Sequence, residues 1–192
     1  MFSLVIQAGG KSSRMGRDKA LLQLDGQTLI ERVIARLAPL ADEILVTTNR
    51  PAEYEFLDVP LFADILPERG ALGGLYTALK SARSPLVAVV ACDMPFASPH
   101  IFTRLVTLIA EADVALPRSA AGLEPLHAVY RRETCLPAIE QALRENEWKV
   151  IAWFPRVRVV TLETAELAQL DPAGRAFFNV NTPQEWEKFS KR

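Results

Sequence analysis

Thirteen residues near the start of the chain, Gln7-Ala8-Gly9-Gly10-Lys11-Ser12-Ser13-Arg14-Met15-Gly16-Arg17-Asp18-Lys19, gather the groups that bind a polyphosphate. Gly9, Gly10 and Gly16 allow backbone amides to approach an anion closely, and Lys11, Arg14, Arg17 and Lys19 place four positive charges within nine residues. The pattern is neither of two common phosphate loops. A Walker A loop needs a glycine five positions before Gly10, where Val5 stands, and a G-x-G-x-x-G fingerprint does not align with the glycines present. A solvated glycine turn would account for the glycines but not for the cations. A positioned ammonium such as Lys19 would offset the negative charge of a bound polyphosphate.

Asp93 is the second candidate. It follows Leu86 to Cys92, the longest apolar stretch, so its carboxylate is expected at the same sheet edge as the glycine loop. A hard oxygen ligand there suits Mg²⁺, which takes one or two carboxylates and completes its shell with phosphate oxygens and water. The same carboxylate could instead cap the turn that follows. Asn179 and Asn181 bracket Val180, and in an extended segment both amides would face one side, where they could meet a second phosphate or complete a magnesium shell. Local turn bonding ahead of Thr182-Pro183 is their other use. Asn49 and Asp64 stand at expected strand ends, where they could equally serve as turn or capping residues. The segment Gly70-Ala71-Leu72-Gly73-Gly74 is expected to be a flexible loop that meets a ligand through its backbone. His100 and His127 are the only histidines, and neither has a serine or cysteine partner, so a hydrolase triad is unsupported. Trp148 and Trp153 could present a flat surface to a planar ligand, but core packing or a lid is the better reading of both.

The elements that must hold these residues alternate as strand and helix. Leu4-Val5-Ile6 forms a buried strand ahead of the glycine loop, and Leu29, Ile30, Val33, Ile34 and Leu37 then recur at helical spacing. Thr28 with Glu31 forms a capping box that starts this helix. Strands are expected at Glu43 to Thr48 and Leu61 to Ala63, and a helix from Leu75 to Ser81. Leu86 to Cys92 has no polar alternation, as in the centre of a parallel sheet covered on both faces. Ser98-Pro99 opens the next helix. Asp113 to Leu116 and Leu126 to Tyr130 read as strands around a small-residue turn, Ser119 to Gly122. A helix over Glu133 to Arg144, a strand over Val157 to Leu162, and a helix entered at Thr182-Pro183 with Glu185 as capping partner complete the chain.

This order predicts one three-layer α/β/α domain over 1–192, with a mostly parallel sheet and an antiparallel addition in the C-terminal third. Composition agrees: 192 residues, 49% hydrophobic and 23% charged, suffice for a core without staples. The formal net charge of -1 argues against a nucleic-acid coat. The cysteines, Cys92 and Cys135, lie in no zinc spacing, which fits a reduced, cytoplasmic setting. No apolar run approaches the length of a membrane span, and the first residues do not read as a signal peptide.

The loop Ala8 to Lys19 resembles the signature of nucleotidyltransferases with a Rossmann-like sheet, and within them the MobA family of molybdenum cofactor guanylyltransferases. Gly70-Ala71-Leu72-Gly73-Gly74, Cys92-Asp93-Met94-Pro95, Glu124-Pro125-Leu126 with Ala128 and Tyr130, and Asn179-Val180-Asn181-Thr182-Pro183 match the family in order and spacing, so the resemblance spans nearly the whole chain. It implies a nucleotide-diphospho-sugar-transferase-like fold, with a nucleotide-binding half over about 1–112 and an acceptor-binding half over about 113–192. It also implies transfer of GMP from GTP to the terminal phosphate of molybdopterin, with Mg²⁺ as cofactor. Ala8, Gly9 and Gly10 would contact the triphosphate through their backbone, and Arg14 and Lys19 through their charge. Asp93 would hold the metal with Asn181, while Asn49, Asp64, Gly73 and Gly74 would bind the nucleoside. Glu124, Pro125, Asn179 and Asn181 would face the acceptor. Transient contact with molybdenum-inserting proteins and apo-molybdoenzymes follows from the same likeness. Guanine is favoured because related cytidylyl and uridylyl enzymes tend to carry a second alanine where Gly9 stands. The chain departs from the family at Gln7, where leucine is usual, and in the Gly70 to Gly74 segment, which lacks the usual proline. The alternatives are a related enzyme using CTP or another phosphate acceptor, and a GTP-binding adaptor that delivers cofactor without chemistry.

Overall fold

A computed structural model describes residues 2–8 and 19–190. Its strands are β1 (Ser3–Gln7), β2 (Gln23–Leu24), β3 (Gln27–Thr28), β4 (Glu43–Thr47), β5 (Leu61–Phe62), β6 (Leu86–Ala91), β7 (Val114–Ser119), β8 (Gly122–Leu123), β9 (His127–Arg131) and β10 (Val159–Leu162). The helices are α1 (Leu29–Leu37), α2 (Gly70–Ser81), α3 (Pro99–Leu108), α4 (Arg132–Arg144), α5 (Thr164–Leu170) and α6 (Pro183–Ser190).

Alternation along the central strands sorts the side chains into two cores. Leu4 and Ile6 of β1 and Ala88 and Val90 of β6 pack against α1 and α3, whereas Val5, Val87 and Val89 pack against α2 and α4. A strand covered on both faces can be apolar throughout, which is why β6 lacks alternation. Eight of the described strands form one sheet in the order β10-β7-β9-β6-β1-β4-β5, with β8 paired to β7, while β2 and β3 pair with each other in a separate antiparallel hairpin. β5, β4, β1 and β6 are mutually parallel. The expected antiparallel addition is β9, which lies between β6 and β7 and opposes both. It is an inserted strand rather than an edge, because β10 beyond it pairs parallel to β7.

Helix starts follow the local chemistry. The Thr28 side chain accepts from the Glu31 amide while Glu31 accepts from the Thr28 amide at 2.7 Å, and Ser98 caps α3 ahead of Pro99. Thr182 and Glu185 cap α6 in the same reciprocal way. The hairpin β2–β3 and helix α5 were not expected from the sequence. Asp25 and Gly26, with φ of 50° and 81°, form its turn, and Asp-Gly is a known signal for that geometry. The hairpin receives α6: Trp186 donates to Asp25 Oδ2 at 2.8 Å, stacks on Phe96 at 5.3 Å and lies under the Arg32 guanidinium. That anchorage fixes the extended segment just before α6.

The Gly70 to Gly74 segment is not a loop. It forms the first turns of α2, because Leu72, Leu75 and Leu79 give the helix a buried face that outweighs the glycine cost. The glycines answer to close packing. A Cβ on Gly73 would stand 2.9 Å from the Leu66 carbonyl, and one on Gly74 would stand 2.9 Å from Gln7 Nε2.

Candidate active site

At the carboxyl edge of the parallel strands a cavity of about 650 Å³ opens. Ala8 and Lys19, at the two described ends of the glycine loop, line it together with Asn49, Asp64, Gly74 and Asp93. The strand ends are locked in register, since the Ala8 amide donates to the Thr47 carbonyl at 2.8 Å and the Cys92 amide to the Gln7 carbonyl at 3.1 Å. Gly9, Gly10 and Arg14 lie outside the described residues.

The charged centre is assembled from three remote parts of the chain. Lys19 Nζ donates to Asn181 Oδ1 at 2.5 Å, and the Val180 amide donates to the Asp93 carbonyl at 2.9 Å. The segment ahead of α6 therefore binds both the loop cation and the turn that carries the acid. Burial raises the Asp93 carboxyl above its usual range, and its own backbone amide and the Lys19 charge oppose that rise only in part. Asp93 is thus a carboxylate short of compensating charge, held where a polyphosphate would lie. Its single hard oxygen donor group, with the Asn181 carboxamide close to Lys19, fits a magnesium site completed by phosphate oxygens. Among the described residues no group of three or more His, Cys, Asp or Glu could hold a metal without such help.

The other predicted residues are placed unevenly. Asn49 and Asp64 hold each other, with Nδ2 donating to Asp64 Oδ2 at 2.7 Å and Oδ1 accepting the Asp64 amide at 3.0 Å, a local loop-bonding role, and both line the cavity. Gly74 reaches the cavity, but Gly73 packs against Leu66 and Arg69. Glu124 accepts from Ser119 Oγ at 2.6 Å and the Pro125 carbonyl accepts from Tyr130 at 2.5 Å; neither lines the cavity. Asn179 is exposed and offers its carbonyl to Asn181 Nδ2 at 3.4 Å. The sequence reading missed Gln7, Arg69 and the cavity-lining position of Trp148. Trp148 is about half exposed with Arg69 over its ring at 5.1 Å, while Trp153 belongs to the core. No spacing rule would have found Arg69; an amide at the end of an otherwise apolar strand was a visible signal for Gln7.

The MobA-like NTP transferase domain model matches residues 4–160. The chain belongs to this family. Within it, a probable molybdenum cofactor guanylyltransferase of Carboxydothermus hydrogenoformans is 36% identical over 98% of this chain and 95% of its own length. A molybdenum cofactor guanylyltransferase of Desulfosudis oleivorans is 35% identical over 96% of this chain and 92% of its own. The crystal structure of molybdopterin-guanine dinucleotide biosynthesis protein A from Archaeoglobus fulgidus superposes with a TM-score of 0.81 at 25% identity, covering 98% of this chain and 97% of that one. As a MobA-like transferase the chain is a nucleotidyltransferase, and the cavity at the edge of β1, β4 and β6 is its candidate site.

His127 takes no visible part in that chemistry. It is fully buried on β9, stacked on Phe102 at 4.4 Å and edge-on to Phe177 at 5.0 Å, with neither ring nitrogen partnered among the described residues. Burial lowers its pKa to about 3 from the ordinary 6.5. The unfolded chain therefore binds a proton that the folded one refuses, so this residue's contribution to stability is full above pH 6.5 and falls as pH drops toward 3. His127→Phe should flatten the acid limb between pH 6.5 and 4, where the parent loses about 1.4 kcal/mol per pH unit on this account. Urea unfolding of both proteins across that range checks it; parallel curves would refute it.

Proposed function

We propose that this MobA-like nucleotidyltransferase transfers GMP from GTP to the terminal phosphate of molybdopterin, forming molybdopterin guanine dinucleotide. In this reaction an acceptor phosphate oxygen bonds to the α-phosphorus, the bond from that phosphorus to the bridging oxygen breaks, and pyrophosphate leaves. The observation that carries the reading is the convergence of Lys19, Asp93 and the end of β1 on one cavity, with Asn181 clasping the lysine. Held by that amide, the ammonium is already aimed when charge builds on the leaving group, so little reorganisation is needed during the step. Asp93 would hold Mg²⁺, which would neutralise phosphate charge and orient the triphosphate, while the Asn181 carboxamide oxygen, expected as a second ligand, is engaged by Lys19 instead. Asn49, Asp64 and Gly74 of α2 would grip the nucleoside; Glu124, Pro125 and Asn179, in the half over 113–192, would face the acceptor. With Cys92 and Cys135 outside any disulfide, the chain would suit a cytoplasmic setting, where apo-molybdoenzymes and molybdenum-inserting proteins would be met. Among the described residues no helix is long and apolar enough to cross a membrane.

Purified protein incubated with magnesium, molybdopterin and each ribonucleoside triphosphate should yield one dinucleotide product, from GTP, identified by mass. Product from CTP alone would overturn the assignment of guanine, and binding of GTP without any product would favour the adaptor.

A further inference from the structure

Gln7 ends β1, and its backbone is fully committed between β4 and β6. Its side chain points to the same face as Val5, beneath the first turns of α2, where only a glycine at position 74 leaves room for it. The residue is 7% exposed, yet its Nε2 has no acceptor among the described residues. A buried amide donor without a partner is costly, and an apolar side chain of similar size would carry no such cost. The residue that carries this donor lines the nucleotide cavity beside Gly74.

Its position decides which part of a nucleotide it meets. Ala20, beside Lys19, is buried in the core on the α1 and α3 face, whereas Gln7 lies on the α2 face of the same strand edge. With the phosphates drawn to the Lys19 ammonium in the same cavity, the base is the part of the nucleotide left for the amide. We infer that Gln7 is a specificity-determining residue whose Nε2 donates to the 6-oxo group of a purine base. This inference rests on the reading of the site as a GTP site. Adenine carries an amino group at that position and would set donor against donor. A 6-oxo purine supplies the missing acceptor. A pocket built to hydrogen-bond one substrate atom discriminates against analogues lacking it, because the buried group is then left unpaired.

The test compares Gln7→Leu and the near-isosteric Gln7→Glu with the parent protein on three triphosphates. GTP and ITP keep the 6-oxo group, while 2-aminopurine riboside triphosphate keeps only the 2-amino group. The parent should favour GTP and ITP over the 2-aminopurine nucleotide by about 10-fold to 100-fold in kcat/KM, mostly through KM. Both variants should lose that preference by falling on GTP and ITP while holding on the third. The ligand-free Gln7→Leu protein should melt no lower than its parent, since an unpartnered amide has been removed. An equal fall on all three nucleotides, preserved discrimination, or a lowered melting temperature of Gln7→Leu would overturn the role. Failure of the parent to use GTP at all would overturn the functional reading, and the inference with it.

Discussion

Replacing Asp93 by alanine should reduce pyrophosphate release by about 10³-fold or more at saturating magnesium while the fold survives. The carboxylate stands at the turn after β6, a strand buried at five of its six residues, and its pKa is raised because burial penalises its charge. That rise means the folded protein without ligand is strained by the ionised acid. Asp93→Asn, which keeps the shape and removes the charge, should therefore melt at the same temperature as the parent or higher. It should also lose the thermal shift that magnesium and nucleotide together produce in the parent. A loss of activity with a rise in stability separates a metal-holding acid from a structural one, because a structural carboxylate would show both falling together. Undiminished pyrophosphate release from Asp93→Ala would refute the metal role.

Lys19→Ala should lower kcat by about 10²-fold to 10³-fold with a smaller change in KM. The ammonium is held at 2.5 Å by Asn181 Oδ1, and the charge it offsets grows during bond breaking, so its contribution falls mainly on the transition state. Lys19→Arg restores the charge without the compact geometry that the carboxamide grips, and should recover only part of the rate. Steady-state kinetics on the three proteins, with far-ultraviolet circular dichroism to confirm folding, checks the claim. A change in KM alone, with kcat intact, would reassign Lys19 to ground-state binding.

Much of this was readable from residue order because the relevant signals are local. Thr28 with Glu31, and Thr182 with Glu185, announce helix starts within four residues, and each forms the cap its spacing allows. The unbroken apolar run of β6 announces a doubly covered strand, and Asp93 at its end follows from strand direction alone. The glycine segment misled for the opposite reason. Gly70, Gly73 and Gly74 weaken a helix locally, but the burial of Leu72, Leu75 and Leu79 and the close approach of Leu66 and Gln7 are contacts between remote parts of the chain. The hairpin β2–β3 was missed although its Asp25-Gly26 turn is a local signal.

The amino-acid order by itself determined the alternation of strands and helices and the candidacy of the first loop, Lys19, Asp93 and Asn181. The tertiary structure decided that Asn181 clasps Lys19 across 162 positions of sequence and that β9 is inserted between two strands it opposes. It also decided that Gln7 lies buried with an unanswered donor. The division has a physical cause. Helix caps, turns and apolar periodicity depend on neighbours a few residues away, whereas desolvation, charge pairing and hydrogen-bond satisfaction depend on which distant groups the folded chain brings into contact.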